Sequence, residues 1–284
     1  MTTAPPDPHS EAVLSRPAPP ADDTRSYGAD PAQVYDVRLP CPTESSGPAV
    51  HTPTESSGPP VHRGTVLIVH GGFWRATYDR AHVAAQAHAL TQEGFHVAVG
   101  EYRRVGMPGG GVPGTLEDVT ALIVAVAHDE QLPGPLVLMG HSAGGHLVAW
   151  AANQDLAQHL AGVVALGGCI DLAATERLGL GDGAARNFVG GPPEQLPEAW
   201  AMADPMTSLP PRVPVRLVHG ALDQTVPVGT NEAYLVRCVG LGADVTLDVV
   251  PGAGHFSLID PEDPAWQHTL AALDGLSRGA LPLG

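Results

Sequence analysis

The stretch Leu136-Val-Leu-Met-Gly140-His-Ser142-Ala-Gly144-Gly-His-Leu147-Val-Ala-Trp-Ala-Ala152 decides the fold. Leu136 to Met139 is a short, continuous apolar run, the pattern of a strand buried on both faces of a parallel sheet. Gly145 to Ala152 reads as a helix, and Gly-x-Ser-x-Gly lies between the two. Strand, sharp turn and helix is the context in which that pentapeptide holds a serine hydroxyl out at the carboxyl edge of a sheet. Such a turn strains the serine backbone and leaves little room, so Gly140 and Gly144 let strand and helix approach each other. The helix start just beyond Ser142 offers backbone N–H groups to a developing negative charge. In a chain with 34 glycines the pentapeptide alone is a weak signal. Its place after a buried strand gives it weight.

The same grammar extends in both directions. Apolar runs at Thr65–Val69, His96–Val99, Gly162–Leu166, Val215–Val218 and Val245–Val250 alternate with amphipathic stretches near 79–93, 115–129, 229–240 and 263–277. Alternation of this kind predicts right-handed βαβ crossovers and an α/β, doubly wound, mostly parallel sheet. Val34 to Leu39 alternates and is a plausible first strand. Residues 1–26, rich in Pro, Ala and Asp, read as a flexible N-terminal tail ahead of a domain spanning 27–280. Within that domain Pro42–His51 is echoed by Pro53–His62, and residues 42–63 are expected to be a duplicated surface-loop insertion. Residues 170–208, with Gly, Pro and scattered aromatics, interrupt the rhythm and predict a cap or lid insertion that sets substrate size.

Composition narrows the function classes. The net charge is −16, which repels phosphate backbones and anionic lipid, so neither nucleic acid nor a membrane surface is an expected partner. All 14 basic residues are Arg. The absence of Lys excludes Schiff-base chemistry, a Ser-Lys dyad and a P-loop. Cys41, Cys169 and Cys238 form no Cys-x-x-Cys pair, and no His-Glu-x-x-His occurs, so no metal is expected. No stretch approaches the roughly 20 apolar residues of a membrane span, and the N-terminus lacks a basic start and apolar run. The expectation is a soluble, cytoplasmic protein without cofactor, acting on a small-molecule ester or amide; a homodimer is compatible with the chain. Gly109-Gly-Gly111-Val-Pro-Gly114 matches a dinucleotide fingerprint, but Pro108 and Pro113 and its distance from the strand argue against that use.

A serine hydroxyl needs a base and an acid to orient that base. Of 14 histidines, His255 in Pro251-Gly-Ala-Gly-His-Phe256 follows the last strand on a glycine-rich loop and is the expected base. His219, His141 and His146 read as structural or pocket-lining. Asp223 follows strand Val215–Val218 and completes the order Ser, Asp, His; Asp244 and Asp248 are placed less well. Upstream, His70-Gly-Gly-Phe-Trp74 follows Thr65–Val69. Its amides of Gly72 and Phe73, with that of Ala143, are the expected oxyanion donors. Trp74, His141 and Phe256 are candidate substrate-binding residues. Phe188, Trp200, Met202 and Met206 suit either a pocket or the core.

Together these residues resemble the α/β-hydrolase superfamily over roughly residues 27–278. More narrowly, His-Gly-Gly-Phe-Trp with Gly-His-Ser-Ala-Gly-Gly-His-Leu looks like the kynurenine formamidase (arylformamidase) and small carboxylesterase group, and Glu101-Tyr-Arg-Arg-Val-Gly106 looks like related bacterial hydrolases. Hormone-sensitive-lipase-type esterases carry a third glycine where Phe73 stands. The resemblance implies an α/β-hydrolase fold, a triad on Ser142, Asp223 and His255, no cofactor, and cleavage of a small carboxylic ester or arylformamide through an acyl-enzyme. A general carboxylesterase, a peptidase-like acyl hydrolase and a non-catalytic binding protein on the same scaffold remain as alternatives.

Overall fold

The computed structural model describes residues 11–40 and 63–277. The duplicated segment 42–62, Cys41 and the first ten residues lie outside the described residues. Among the described residues eight strands form one sheet: β1 (Asp23–Ser26), β2 (Val34–Arg38), β3 (Thr65–Val69), β4 (His96–Gly100), β5 (Leu136–His141), β6 (Gly162–Leu166), β7 (Val215–Gly220) and β8 (Val245–Val250). Their spatial order is β1-β2-β4-β3-β5-β6-β7-β8. β1 and β2 are antiparallel additions, and from β4 to β8 every pairing is parallel.

Helices α1 (Ala84–Gln92), α2 (Gly114–Ala127), α3 (Ala143–Ala152), α7 (Gly229–Gly240) and α8 (Trp266–Ser277) are the main crossover and closing helices. Alternate side chains of the central parallel strands feed two separate cores, because successive residues point to opposite faces. Leu67, Val69, Ala98 and Leu138 pack with α2 and α3. Val66, Ile68, Val97, Val99 and Met139 pack with α1 and α8 on the other face. Among the described residues, no helix is long and apolar enough to cross a membrane.

Two organisational expectations change. Residues 11–26, read as tail, contain a 3-10 turn at 11–15 and strand β1. The sequence conceals β1 because its side chains are mostly exposed rather than alternating into a core. Arg25 ties it down instead, bonding Asp23, Asp129 and Gln131. Residues 170–208 do form short helices, α4 (Leu172–Arg177), α5 (Ala184–Val189) and α6 (Pro197–Ala203). They pack onto α3 and the turn after β3: Phe188 stacks on Trp74 at 4.8 Å, and Trp150 Nε1 donates to the Met202 carbonyl.

At the opposite sheet margin, β8 leaves Thr246 and Asp248 exposed, and Asp248 lies 2.6 Å from His268 Nδ1.

The turn after β5 is as tight as the glycines foretell. A Cβ on Gly140 would lie 2.3 Å from the Gly144 carbonyl oxygen, and one on Gly144 would lie 2.0 Å from that of Val69. Both obstacles are backbone, which cannot swing aside. Gly144→Ala is therefore expected to lower stability by roughly 1–3 kcal/mol, the cost of overpacking a tight interior. The urea midpoint measures it, and an unchanged midpoint would contradict this close approach.

Candidate active site

The carboxyl ends of β3, β5, β7 and β8 carry His70, Ser142, Asp223 and His255 to one edge of the sheet. Ser142 adopts φ 57° and ψ −117°, a conformation L-residues rarely take. Such backbone costs on the order of 1–3 kcal/mol and persists only where its surroundings fix it. Its N–H donates to the Leu166 carbonyl at 2.9 Å, and its own carbonyl accepts from Cys169 and His146. The side chain also meets the Cys169 thiol; burial pushes that thiol up to about 12, so it stays neutral beside the serine.

His255 and Ser142 line the same cleft. His255 Nδ1 lies 2.6 Å from Asp223 Oδ2. A carboxylate only accepts, so Nδ1 carries the proton and Nε2 of the neutral ring keeps its lone pair. Asp223 is held in turn: its Oδ1 accepts from the Thr225 and Val226 N–H groups, each at 2.8 Å. Burial pushes the Asp223 carboxyl up, but the hydrogen bond and charge of His255, the Val226 amide and His219 outweigh it and hold the group below its usual range. His219 Nε2 donates to the Val226 carbonyl at 2.9 Å, bracing the loop that carries Asp223. His141 Nε2 donates to the His255 carbonyl at 2.9 Å, so the residue before the serine anchors the loop of the imidazole. Burial, with His255 adjacent, pushes the His141 ring well below its usual range and keeps it neutral.

On the other side of Ser142 stands the turn of Gly72, Phe73 and Trp74, with φ of 108°, 49° and 57°. A Cβ on Gly71 would lie 2.8 Å from the His141 carbonyl oxygen, so the turn comes hard against the serine turn. Ala143 is the first residue of α3, where N–H groups have no partner within the helix. The turn is backed by a buried node that sequence reasoning did not find. Glu101 Oε1 accepts from His70 Nε2 at 2.9 Å and from the Tyr102 N–H at 3.1 Å, and Oε2 accepts from the Arg80 N–H. Arg104 lies 3.1 Å from the same carboxylate. Burial raises this acid, while His70, Arg104 and the Arg80 amide bring it net below its usual range. The Glu101-Tyr-Arg-Arg segment was the available signal; its reach back to His70 was not readable.

The cleft has a cavity volume of about 100 Å³ and is lined by Gly72, Phe73, Ser142, His141, His255 and Phe256, all named from sequence, and also by Leu14, Tyr78, His82 and Thr225. Trp74 is not among them. It is 0% exposed, stacked on Phe188 and edge-on to His146, so its size serves the core beneath the turn and not substrate contact. Phe188, Trp200 and Met206 are likewise buried in the core, and Met202 points to solvent. None of residues 170–208 lines the cleft, so the cap does not bound it as expected.

A mostly parallel sheet with a serine on a strained strand-to-helix turn, and an imidazole–carboxylate pair on later loops, defines the α/β-hydrolase class. Within it the chain belongs to the BD-FAE family, whose model matches residues 50–235. It is 23% identical over 249 residues to the kynurenine formamidase of Salmo salar, covering 82% of this chain and 74% of that protein. A truncated carbohydrate esterase from gut microbiota superposes with a TM-score of 0.70 at 20% identity, covering 91% of this chain and 99% of that one. Thermogutta terrifontis esterase 2, solved phosphoramylated by tabun, superposes with a TM-score of 0.65 at 20% identity, covering 89% and 92%. At these identities the two structures speak for the fold.

Proposed function

We propose that the protein is a serine hydrolase that cleaves small, uncharged carboxylic esters through an acyl-enzyme on Ser142. The observation that carries this reading is the 2.6 Å pair of His255 and Asp223 in the cleft of a serine with left-handed backbone. Ser142 Oγ attacks the ester carbonyl while its proton passes to His255 Nε2. Asp223 keeps the imidazole in the tautomer that can accept, and stabilises the imidazolium once formed. The amides of Gly72, Phe73 and Ala143 receive the oxyanion; each such donor typically contributes on the order of 3 kcal/mol. Collapse of the tetrahedral species breaks the C–O bond, and the alkoxide leaves with the proton from His255. Water, deprotonated by the same imidazole, then attacks the acyl carbonyl and returns Ser142 to its hydroxyl.

The neutral lining argues for uncharged substrates. Among the described residues lining the cleft there is no Asp, Glu or Arg, and burial pushes His82 down to about 4, so it is uncharged at neutral pH. A charged substrate group would lose its hydration there without a partner. The acidic surface further disfavours anions. Arylformamide cleavage is the second reading, favoured by the similarity to the salmon kynurenine formamidase and by His70-Gly-Gly-Phe-Trp74.

The two readings separate by comparing kcat/KM for p-nitrophenyl acetate and butyrate with that for N-formylkynurenine, whose amino-acid group is charged. The esters are expected to be preferred by about tenfold or more, since unpaired polar groups are strongly discriminated against in such a site. Turnover of the formamide alone would reverse the assignment. Failure of a fluorophosphonate to label Ser142 in the folded protein would remove the serine mechanism.

A further inference from the structure

No residue of 170–208 lines the cleft, whereas Leu14 of the N-terminal segment does. Consecutive residues of that segment divide their work. Val13 is 2% exposed and joins the core cluster containing Val83, Leu258 and Ile259. Leu14 packs against that cluster and lines the cleft with Ser142, His82 and Phe256. The turn at 11–15 seats on the turn at 80–83 that carries His82. Beyond it Arg16 bonds Asp260 Oδ2 at 2.8 Å and pairs with Glu262, both on the segment that follows His255. Further along, Arg38 Nη1 donates to the Pro19 carbonyl at 2.8 Å, fixing the path of the chain toward β1. Residues 13–20 are thus secured by a buried apolar side chain, an ion pair and a backbone contact, and Leu14 is the side chain they present to the cleft.

We propose that this N-terminal strap is the specificity element of the site, with Leu14 limiting the length of the substrate group that fits beside Ser142. The proposal rests on the ester-hydrolase reading above. A leucine in the lining of a cleft acts by volume: shortening it admits further methylenes, and enlarging it excludes them. Releasing the strap should act like shortening Leu14, because Leu14 is held in place through Val13.

The test compares kcat/KM for p-nitrophenyl acetate and octanoate in the full chain and in Leu14→Ala, Leu14→Trp and Val13→Asp, with fluorophosphonate labelling and the thermal midpoint recorded for each. Leu14→Ala should raise the octanoate-to-acetate ratio about tenfold, the size of effect that two extra buried methylenes give. Leu14→Trp should lower the ratio by a similar factor. Val13→Asp, if folded, should move the ratio in the direction of Leu14→Ala. If the unaltered protein is labelled and hydrolyses acetate, but both Leu14 variants keep its ratio within twofold, the strap proposal is overturned and the hydrolase reading survives. If the unaltered protein is neither labelled nor active on acetate, the hydrolase reading fails and the strap proposal falls with it.

Discussion

Ser142→Ala will lower turnover of an activated ester by about 10⁵-fold while the protein remains folded. The substitution removes the proposed attacking oxygen and its contact with the Cys169 thiol, but the backbone bonds of residue 142 to Leu166, Cys169 and His146 do not involve its side chain. Asp223→Asn is expected to cost about 10⁴-fold, because an amide donor facing His255 Nδ1 favours the wrong tautomer. The two losses will not add. Once the serine oxygen is gone, the orientation of His255 has nothing left to activate, so the double variant should be no worse than Ser142→Ala alone. Initial rates, together with the thermal midpoint of each variant, decide the matter. Activity within tenfold of the parent in Ser142→Ala would exclude Ser142 as the nucleophile.

The second large effect concerns acid. Burial pushes His146 down to about 4; its Nε2 donates to the Ala203 carbonyl and its ring is wholly enclosed. His82 is also brought to about 4, and His141 is held well below its ordinary 6.5. In the unfolded chain these rings take up protons near pH 6.5, so between pH 6.5 and about 4 the unfolded state binds more protons than the folded one. Stability contributed by the neutral rings is therefore whole above pH 6.5 and is lost as the pH falls through that window. For His146 alone the loss approaches on the order of 3 kcal/mol. Asp223 and Glu101, both held below their ordinary ranges, add a further loss at still lower pH, as those carboxylates take up protons. Urea midpoints at pH 7.5 and 4.5 should show the fall, and His146→Gln should flatten it. Equal midpoints at the two pH values would mean that these rings charge freely inside the fold.

What the sequence disclosed, it disclosed through local signals. The apolar run before Ser142 and the helix after it are adjacent in the chain, and the loops of Asp223 and His255 each follow directly on a strand. Their order along the sheet follows from the fold class. Trp74 could not be placed in the same way. Its neighbours in the chain are turn residues, but its burial depends on Phe188, a long way off in sequence. The link between His70 and Glu101 joins the ends of two neighbouring parallel strands, a register no local pattern reveals. Leu14 was hidden for a different reason. Proline-rich chain normally signals loss of order, whereas here Val13, Arg16 and the Pro19 carbonyl find partners contributed by residues 38, 83 and 260. Residues 170–208 do not border the cleft as expected, because length and composition mark an insertion but not which neighbour it covers.

The two margins of the sheet carry a consequence for behaviour in crowded solution. An open strand edge is a template on which another chain can add a strand, and long apolar edges invite aggregation. Here one margin is the four-residue β1, with Asp23 and Arg25 displayed along it, and the other is β8, where Asp248 is joined to His268. The short length of β1 and the charged side chains displayed on both margins work against fibril growth, in which the sheet would continue from molecule to molecule.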